Sequence, residues 1–85
     1  MMVFSRGDLI KSNGYTKFYF PTEEFLSNTV EVYLELDEIF IHKKIKIIFL
    51  GKTKFKGYEW LFDVFYDGKI LLIDSIYLKN FKKIG

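Results

Sequence analysis

Hydrophobic and polar residues alternate along two stretches of this chain, and this alternation restricts the possible folds more than any other feature. In the range 29–37, apolar side chains at even positions are separated by polar ones. In the range 45–56, odd positions are mostly apolar and share one face, while lysines at even positions share the other face, where Ile48 and Leu50 interrupt them; Gly51 breaks the regularity of the strand. Side chains of a strand point alternately to its two faces, so a period of two indicates half-buried strands. No segment has a long 3.6-residue period, and the sequence therefore predicts a mainly β protein.

We expect these two stretches to form one β-hairpin that turns at residues 42–43. In this antiparallel register Leu36 faces Phe49 on the apolar side, and Glu31 faces Lys54 on the charged side. Both faces agree with the same register, which favours the pairing. The acidic strand would then neutralise part of the lysine-rich strand.

A second hairpin is predicted at Asp67-Gly68, because a type I′ turn requires positive φ at both central positions. It joins a strand at 58–66, whose aromatic face includes Trp60, to a strand at 69–74. The second of these strands is apolar on both faces, which places it centrally or where the sheet folds over. Three shorter elements are expected: a strand at Phe4–Ser12 ending in a turn, an extended segment at Tyr15–Phe20, and one helical turn at Pro21–Leu26.

The length of 85 residues corresponds to one domain spanning residues 1–85, and 49% hydrophobic residues supply its core. Inward-facing positions of the predicted strands define that core. It consists of Leu9, Val32, Leu34, Ile45, Ile47, Phe49, Trp60, Phe62, Val64, Leu72 and Ile76.

Two parts of the chain resemble SH3-like small β-barrels. The segment FSRGDLI at 4–10 is similar to their opening strand, and the segment from Trp60 to Leu78, with its Asp-Gly-Lys turn and Tyr-apolar end, is similar to their close. The resemblance covers residues 4–12 and 44–84. It implies an SH3-like barrel or a strongly bent antiparallel sheet of five to six strands, and a role as a binding module. The acidic, aromatic-flanked loop that binds proline-rich peptides in signalling SH3 domains has no counterpart here.

The residues needed for common catalytic and metal sites are scarce. There is no cysteine, and His42 is the single histidine, at a predicted solvent-exposed turn. Asp63 and Asp74 lie on different predicted strands, so a paired-carboxylate site is not expected. We therefore expect a protein that is not an enzyme and uses no cofactor or metal. The absence of cysteine and of an apolar leader or membrane span favours a cytoplasmic protein without a membrane partner.

Two functions are compatible with these features. The first is a protein-interaction module, such as a small phage or mobile-element accessory or inhibitor protein, because the chain has more aromatic residues than a small core can hide. Its candidate anchors are Tyr15, Tyr19, Phe25, Tyr33 and Phe40. The alternative is a nucleic-acid-binding barrel that contacts phosphates through the lysine stripe. Its candidate residues are Lys44, Lys46, Lys52, Lys54 and Lys56. Self-association through an exposed strand is compatible with both.

Overall fold

The fold is a single open antiparallel sheet, seen in a computed structural model that describes residues 4–21, 36–55 and 57–84. Within these residues there are seven strands and one short helix. They are β1 (Leu9–Ser12), β2 (Thr16–Pro21), β3 (Leu36–Ile41), β4 (Lys46–Lys52), β5 (Leu61–Tyr66), β6 (Lys69–Asp74), α1 (Ser75–Leu78) and β7 (Phe81–Lys83). The strand order is β3-β2-β6-β5-β4-β1-β7. The prediction of a mainly β protein is confirmed, although the sheet has seven strands where five or six were expected.

The predicted hairpin between the two alternating stretches is wrong. β3 pairs along its whole length with β2, so Leu36 lies opposite Pro21 instead of Phe49. β4 pairs instead with β1 and β5, which places Phe49 opposite Val64. The alternating pattern identifies a strand with one apolar face, but β2 offers the same pattern as β4 and competes for the same partner. The predicted contact between Glu31 and Lys54 involves a residue outside the described ranges.

The short connection between β3 and β4 requires the sheet to bend strongly. Four strand spacings separate these two strands in the sheet order, which would be ~19 Å in a flat sheet. The chain from Ile41 to Lys46 can span at most ~18 Å when fully extended, and it must also change direction. The sheet therefore curls, which brings its two halves together over a common apolar interior.

The main core lies on the concave face, where every strand of the sheet contributes at least one buried or half-buried residue. Leu61 and Leu72 are also buried but lie outside this cluster. Six predicted core residues are confirmed as buried: Ile45, Ile47, Phe49, Phe62, Val64 and Leu72. Val32 and Leu34 lie outside the described residues. Seven further apolar residues are buried although they were not predicted in the core: Ile10, Phe18, Leu61, Leu71, Ile73, Leu78 and Phe81.

Three residues predicted in the core are exposed instead. Leu9 is 40% exposed because β1 turns the neighbouring Ile10 inward. Trp60 is 43% exposed because β5 begins only at the next residue, so Trp60 belongs to a turn and does not follow the alternation of the strand. Ile76 is 59% exposed, since Leu78 is the residue by which α1 contacts the core.

The predicted turns and the central strand agree with the structure. Asp67 and Gly68 both have positive φ, at 52° and 76°, as a type I′ turn requires. β6 lies between β2 and β5, in the interior of the sheet. Leu71, Leu72 and Ile73 of this strand are buried, whereas Ile70 is exposed. The predicted N-terminal strand is shorter than expected, because residues 5–8 form a turn in which the Asp8 amide donates to the Ser5 carbonyl oxygen at 3.0 Å. Pro21 is the last residue of β2, and the rest of the predicted helical turn, residues 22–26, lies outside the described ranges.

Candidate interaction surfaces

An aromatic surface forms on the convex side of β2 and β3. Within β2, Thr16 and Phe18 are fully buried, so Lys17 and Tyr19 project to the other side. Tyr15, which directly precedes β2, joins them through its ring contact with Phe40. Phe40 lies directly opposite Lys17 in the β2–β3 register and projects to that same side. The sheet thus collects aromatic residues that are separated by more than twenty positions in sequence.

Tyr15 is at the centre of these contacts. Its ring is 6.0 Å from the Phe40 ring in a stacked arrangement, 5.0 Å from His42 and 5.9 Å from Tyr77, measured between ring centroids. Partial desolvation, followed by the proximity of Tyr77, raises the pKa of the Tyr15 hydroxyl. We refer to Tyr15, Tyr19, Phe40, His42 and Tyr77 as the aromatic face.

Lys17 provides a positive charge in the middle of the aromatic face. Its Nζ atom lies 4.8 Å from the centroid of the Tyr19 ring, 5.6 Å from that of Tyr77 and 5.9 Å from that of Phe40. It also forms an ion pair with Glu38 at 3.5 Å. A hydrogen bond with the Tyr19 side chain is the main cause that raises the pKa of Lys17, so this residue stays protonated at physiological pH. The rings are held in place around a fixed charge.

The structure brings together three of the five aromatic residues predicted as partner contacts. Tyr15 and Phe40 are exposed and Tyr19 is half-buried, while Phe25 and Tyr33 lie outside the described residues. Tyr77, which follows β6 in α1, was not among the predicted partner contacts, because nothing in the pattern showed that β6 pairs with β2. Exposed Trp60 extends the surface, with its ring 6.4 Å from that of Tyr19.

The described lysines of the predicted stripe lie near the two opposite ends of β4. Lys44, Lys46, Lys52 and Lys54 are all exposed, whereas Lys56 lies outside the described residues. Lys46 and Lys52 are the first and last residues of β4, so their Cα atoms are ~20 Å apart along the strand. Lys52 pairs with Phe62 of β5, and Tyr33, its partner in the predicted hairpin, lies outside the described residues. A ligand bound at one end of β4 would therefore contact only part of the predicted stripe.

An apolar groove of about 490 Å³ contains one carboxylate, that of Asp63. Partial burial raises the pKa of Asp63, while Thr53, Lys54 and Arg6 nearby oppose this effect. Asp74, the other acid considered above, caps α1 by accepting a hydrogen bond from the Ile76 amide at 3.0 Å. Among the residues that the structure describes, no group of three or more His, Cys, Asp or Glu side chains is arranged to hold a metal ion.

Comparisons with protein-family models, with curated proteins and with solved structures give no match. The resemblance to SH3-like barrels therefore stays a prediction. In the described part of the chain, no helix has the length and apolar character needed to cross a membrane.

Proposed function

We propose that this protein is a non-enzymatic interaction module that binds a partner protein through the aromatic face. The observation that carries this proposal is the cluster of Tyr15, Phe40 and Tyr77 rings around Lys17 on the convex side of the sheet. Aromatic side chains that stay exposed on a folded domain are the commonest energetic anchors of protein interfaces. A role as an accessory or inhibitor protein would use such a surface.

The rigidity of the aromatic face supports this proposal. Each ring contacts at least one other ring, and Lys17 is fixed by Glu38 as well as by the aromatic side chains. Side chains that are ordered before binding lose less conformational entropy when a partner covers them. The backbone beneath them is also fixed, because β2 is hydrogen-bonded to β3 on one side and β6 on the other.

The proposal is tested by affinity capture from the native host with three versions of the tagged protein. These are the wild type, the double variant Tyr15→Ala/Phe40→Ala, and the control Phe65→Ala/Ile70→Ala. Phe65 and Ile70 are exposed residues opposite each other on β5 and β6, so the control removes apolar surface elsewhere on the sheet. We expect one or more proteins to bind the wild type and the control but not the aromatic-face variant.

Each variant must first keep a cooperative thermal transition by circular dichroism, so that loss of binding is not loss of fold. Binding of the same proteins to all three versions would show that the aromatic face is not the interface. Purified candidates would then be measured by calorimetry, where we expect the double change to weaken binding by at least tenfold, as for hot-spot residues.

A further inference from the structure

Three lysines from distant parts of the chain form a straight row across one edge of the sheet. Lys11 of β1 lies directly opposite Lys46 of β4 and directly opposite Lys82 of β7. We call Lys82, Lys11 and Lys46 the lysine row. Adjacent members are on neighbouring strands, so their backbones are ~4.8 Å apart. Only Lys46 belongs to the lysine stripe that the sequence analysis considered.

No acidic side chain of the described residues forms an ion pair with the lysine row. All three lysines are exposed, and among the described residues the ion pairs are those of Lys17 with Glu38 and Lys83 with Asp8. Like charges directly opposite each other on adjacent strands destabilise a sheet. The fold therefore keeps an unfavourable arrangement that an anionic ligand would relieve.

An apolar row runs parallel to the lysine row on the same convex side, two residues further along each strand. Leu9 pairs with Ile48, Ile48 pairs with Phe65, and Phe65 pairs with Ile70. The Ile84 amide donates to the Leu9 carbonyl oxygen and extends the row past β7. Leu9, Phe65 and Ile70 are exposed, at 40%, 39% and 62%. We call Ile84, Leu9, Ile48, Phe65 and Ile70 the apolar row.

We propose that these two rows form a binding surface for single-stranded nucleic acid, distinct from the aromatic face. The lysine row would contact successive phosphates of a strand that crosses β4, β1 and β7. The bases would lie over the apolar row, ~7 Å away along the strands, with Phe65 as the stacking platform. Charged contacts to the backbone combined with apolar or aromatic contacts to the bases are how proteins bind single strands without sequence preference.

The regularity of the lysine row favours a nucleic acid over an acidic protein. A polymer with evenly spaced charges matches a straight row of lysines, whereas a protein would need three carboxylates at the same spacing. Phe65, which is 39% exposed, adds a flat ring on which a base can stack.

The experiment measures fluorescence anisotropy of a labelled oligothymidine of about 20 nucleotides with the full chain, over a range of about 50–200 mM salt. We expect log K to fall linearly with log salt with a slope of about −2, since each phosphate contact to a single strand contributes ~0.7. In the variant Lys11→Ala/Lys46→Ala/Lys82→Ala, we expect the slope to approach zero.

The matched control is Lys52→Ala/Lys54→Ala/Lys69→Ala, which removes the same charge at exposed positions outside the row. We expect this control to keep a slope near that of the wild type. The triple change in the lysine row should also raise the melting temperature, because it removes like-charge pairs, so weaker binding cannot be attributed to unfolding. Equal slopes for the two triple variants would overturn the proposal.

A second variant separates base contacts from phosphate contacts. Phe65→Leu keeps an apolar side chain but removes the ring, and we expect about fivefold weaker binding to the oligothymidine with an unchanged salt slope. Tyr15→Ala/Phe40→Ala should bind the oligothymidine like the wild type. The nucleic-acid proposal and the partner-protein proposal can therefore be contradicted independently of each other. Binding to vesicles of phosphatidylserine and phosphatidylcholine without binding to the oligothymidine would show that this surface binds lipid and not nucleic acid. That result would contradict the proposal.

Discussion

At the scale of single residues, the burial of the Thr16 hydroxyl lowers the stability of the fold. Its side chain is fully buried on the concave side of β2, and its Oγ1 atom has no hydrogen-bond partner among the described residues. A buried hydroxyl loses its hydrogen bonds with water, and when no protein group replaces them this costs about 1–3 kcal/mol of stability. We predict that Thr16→Val, which keeps the shape of the side chain, raises the free energy of unfolding by about 1 kcal/mol. Urea denaturation monitored by circular dichroism would measure this free energy. A lower stability of the variant would show that the Thr16 hydroxyl has a hydrogen-bond partner in solution.

Trp60 and Phe18 should respond very differently to truncation. Phe18 is fully buried and stacks on Tyr66, so Phe18→Ala should cost ~3–5 kcal/mol. Trp60, although expected in the core from sequence, is exposed and contacts the rings of Tyr19 and Tyr58. We predict that Trp60→Ala costs about 1 kcal/mol, the scale of surface aromatic contacts. Thermal melts of both variants check this, and a Trp60→Ala protein that failed to fold would restore the sequence-based assignment.

Asp63 should make stability depend on pH in a defined direction. Partial burial raises its pKa, so the folded state favours the protonated form. The stability that this carboxyl contributes is present below its ordinary pKa of 3.8 and is lost as the pH rises through the raised value. We predict that Asp63→Asn raises the melting temperature at pH 7 and has little effect near pH ~3. An equal effect at both pH values would mean that the gain is not electrostatic.

At the scale of elements, the turn between β5 and β6 depends on backbone conformation. Gly68 has a φ of 76°, and a Cβ atom added there would meet no atom within 4 Å. Gly68→Ala therefore tests backbone strain alone, and we predict a loss of about 1–2 kcal/mol. The control Asp67→Asn, which suits the positive φ of 52° at the preceding position, should change stability by less than ~0.5 kcal/mol. Equal effects of the two changes would exclude turn conformation as the cause.

The elements differ in how far the sequence determines them. β6 and its turn were predictable because Asp-Gly fixes the local conformation and a short continuous apolar run bounded by turn signals is typical of a buried strand. The partner of β3 was not predictable, because β2 and β4 carry similar alternation and only the complete sheet decides between them. The aromatic face shows the same limit: Tyr15 and Phe40 were selected by composition, but Tyr77 joins them only through the pairing of β6 with β2.

At the scale of the whole molecule, β6 connects two halves of the sheet. Among the strands that the structure describes, β2 and β3 are joined to the others only through the pairing of β2 with β6. We predict that a chain ending at Tyr66 is unfolded by circular dichroism, because a two-stranded hairpin is at best marginally stable alone. A chain ending at Asn80 loses only edge strand β7 and the buried Phe81, and it should still melt cooperatively at a lower temperature. A cooperative transition in the shorter chain would show that β6 is not needed to connect the halves.

The strand order also has a consequence for synthesis on the ribosome. β2 is made early, but the strand that completes its pairing is made only after β3, β4 and β5. At about 5–20 residues per second, translation from Ile41 to Asp74 takes roughly 2–7 s. Throughout this interval the growing chain carries a hairpin with an apolar side and no sheet to cover it. The nascent protein should thus depend on chaperones that bind such surfaces, and slow codons placed before β6 should lower its soluble yield.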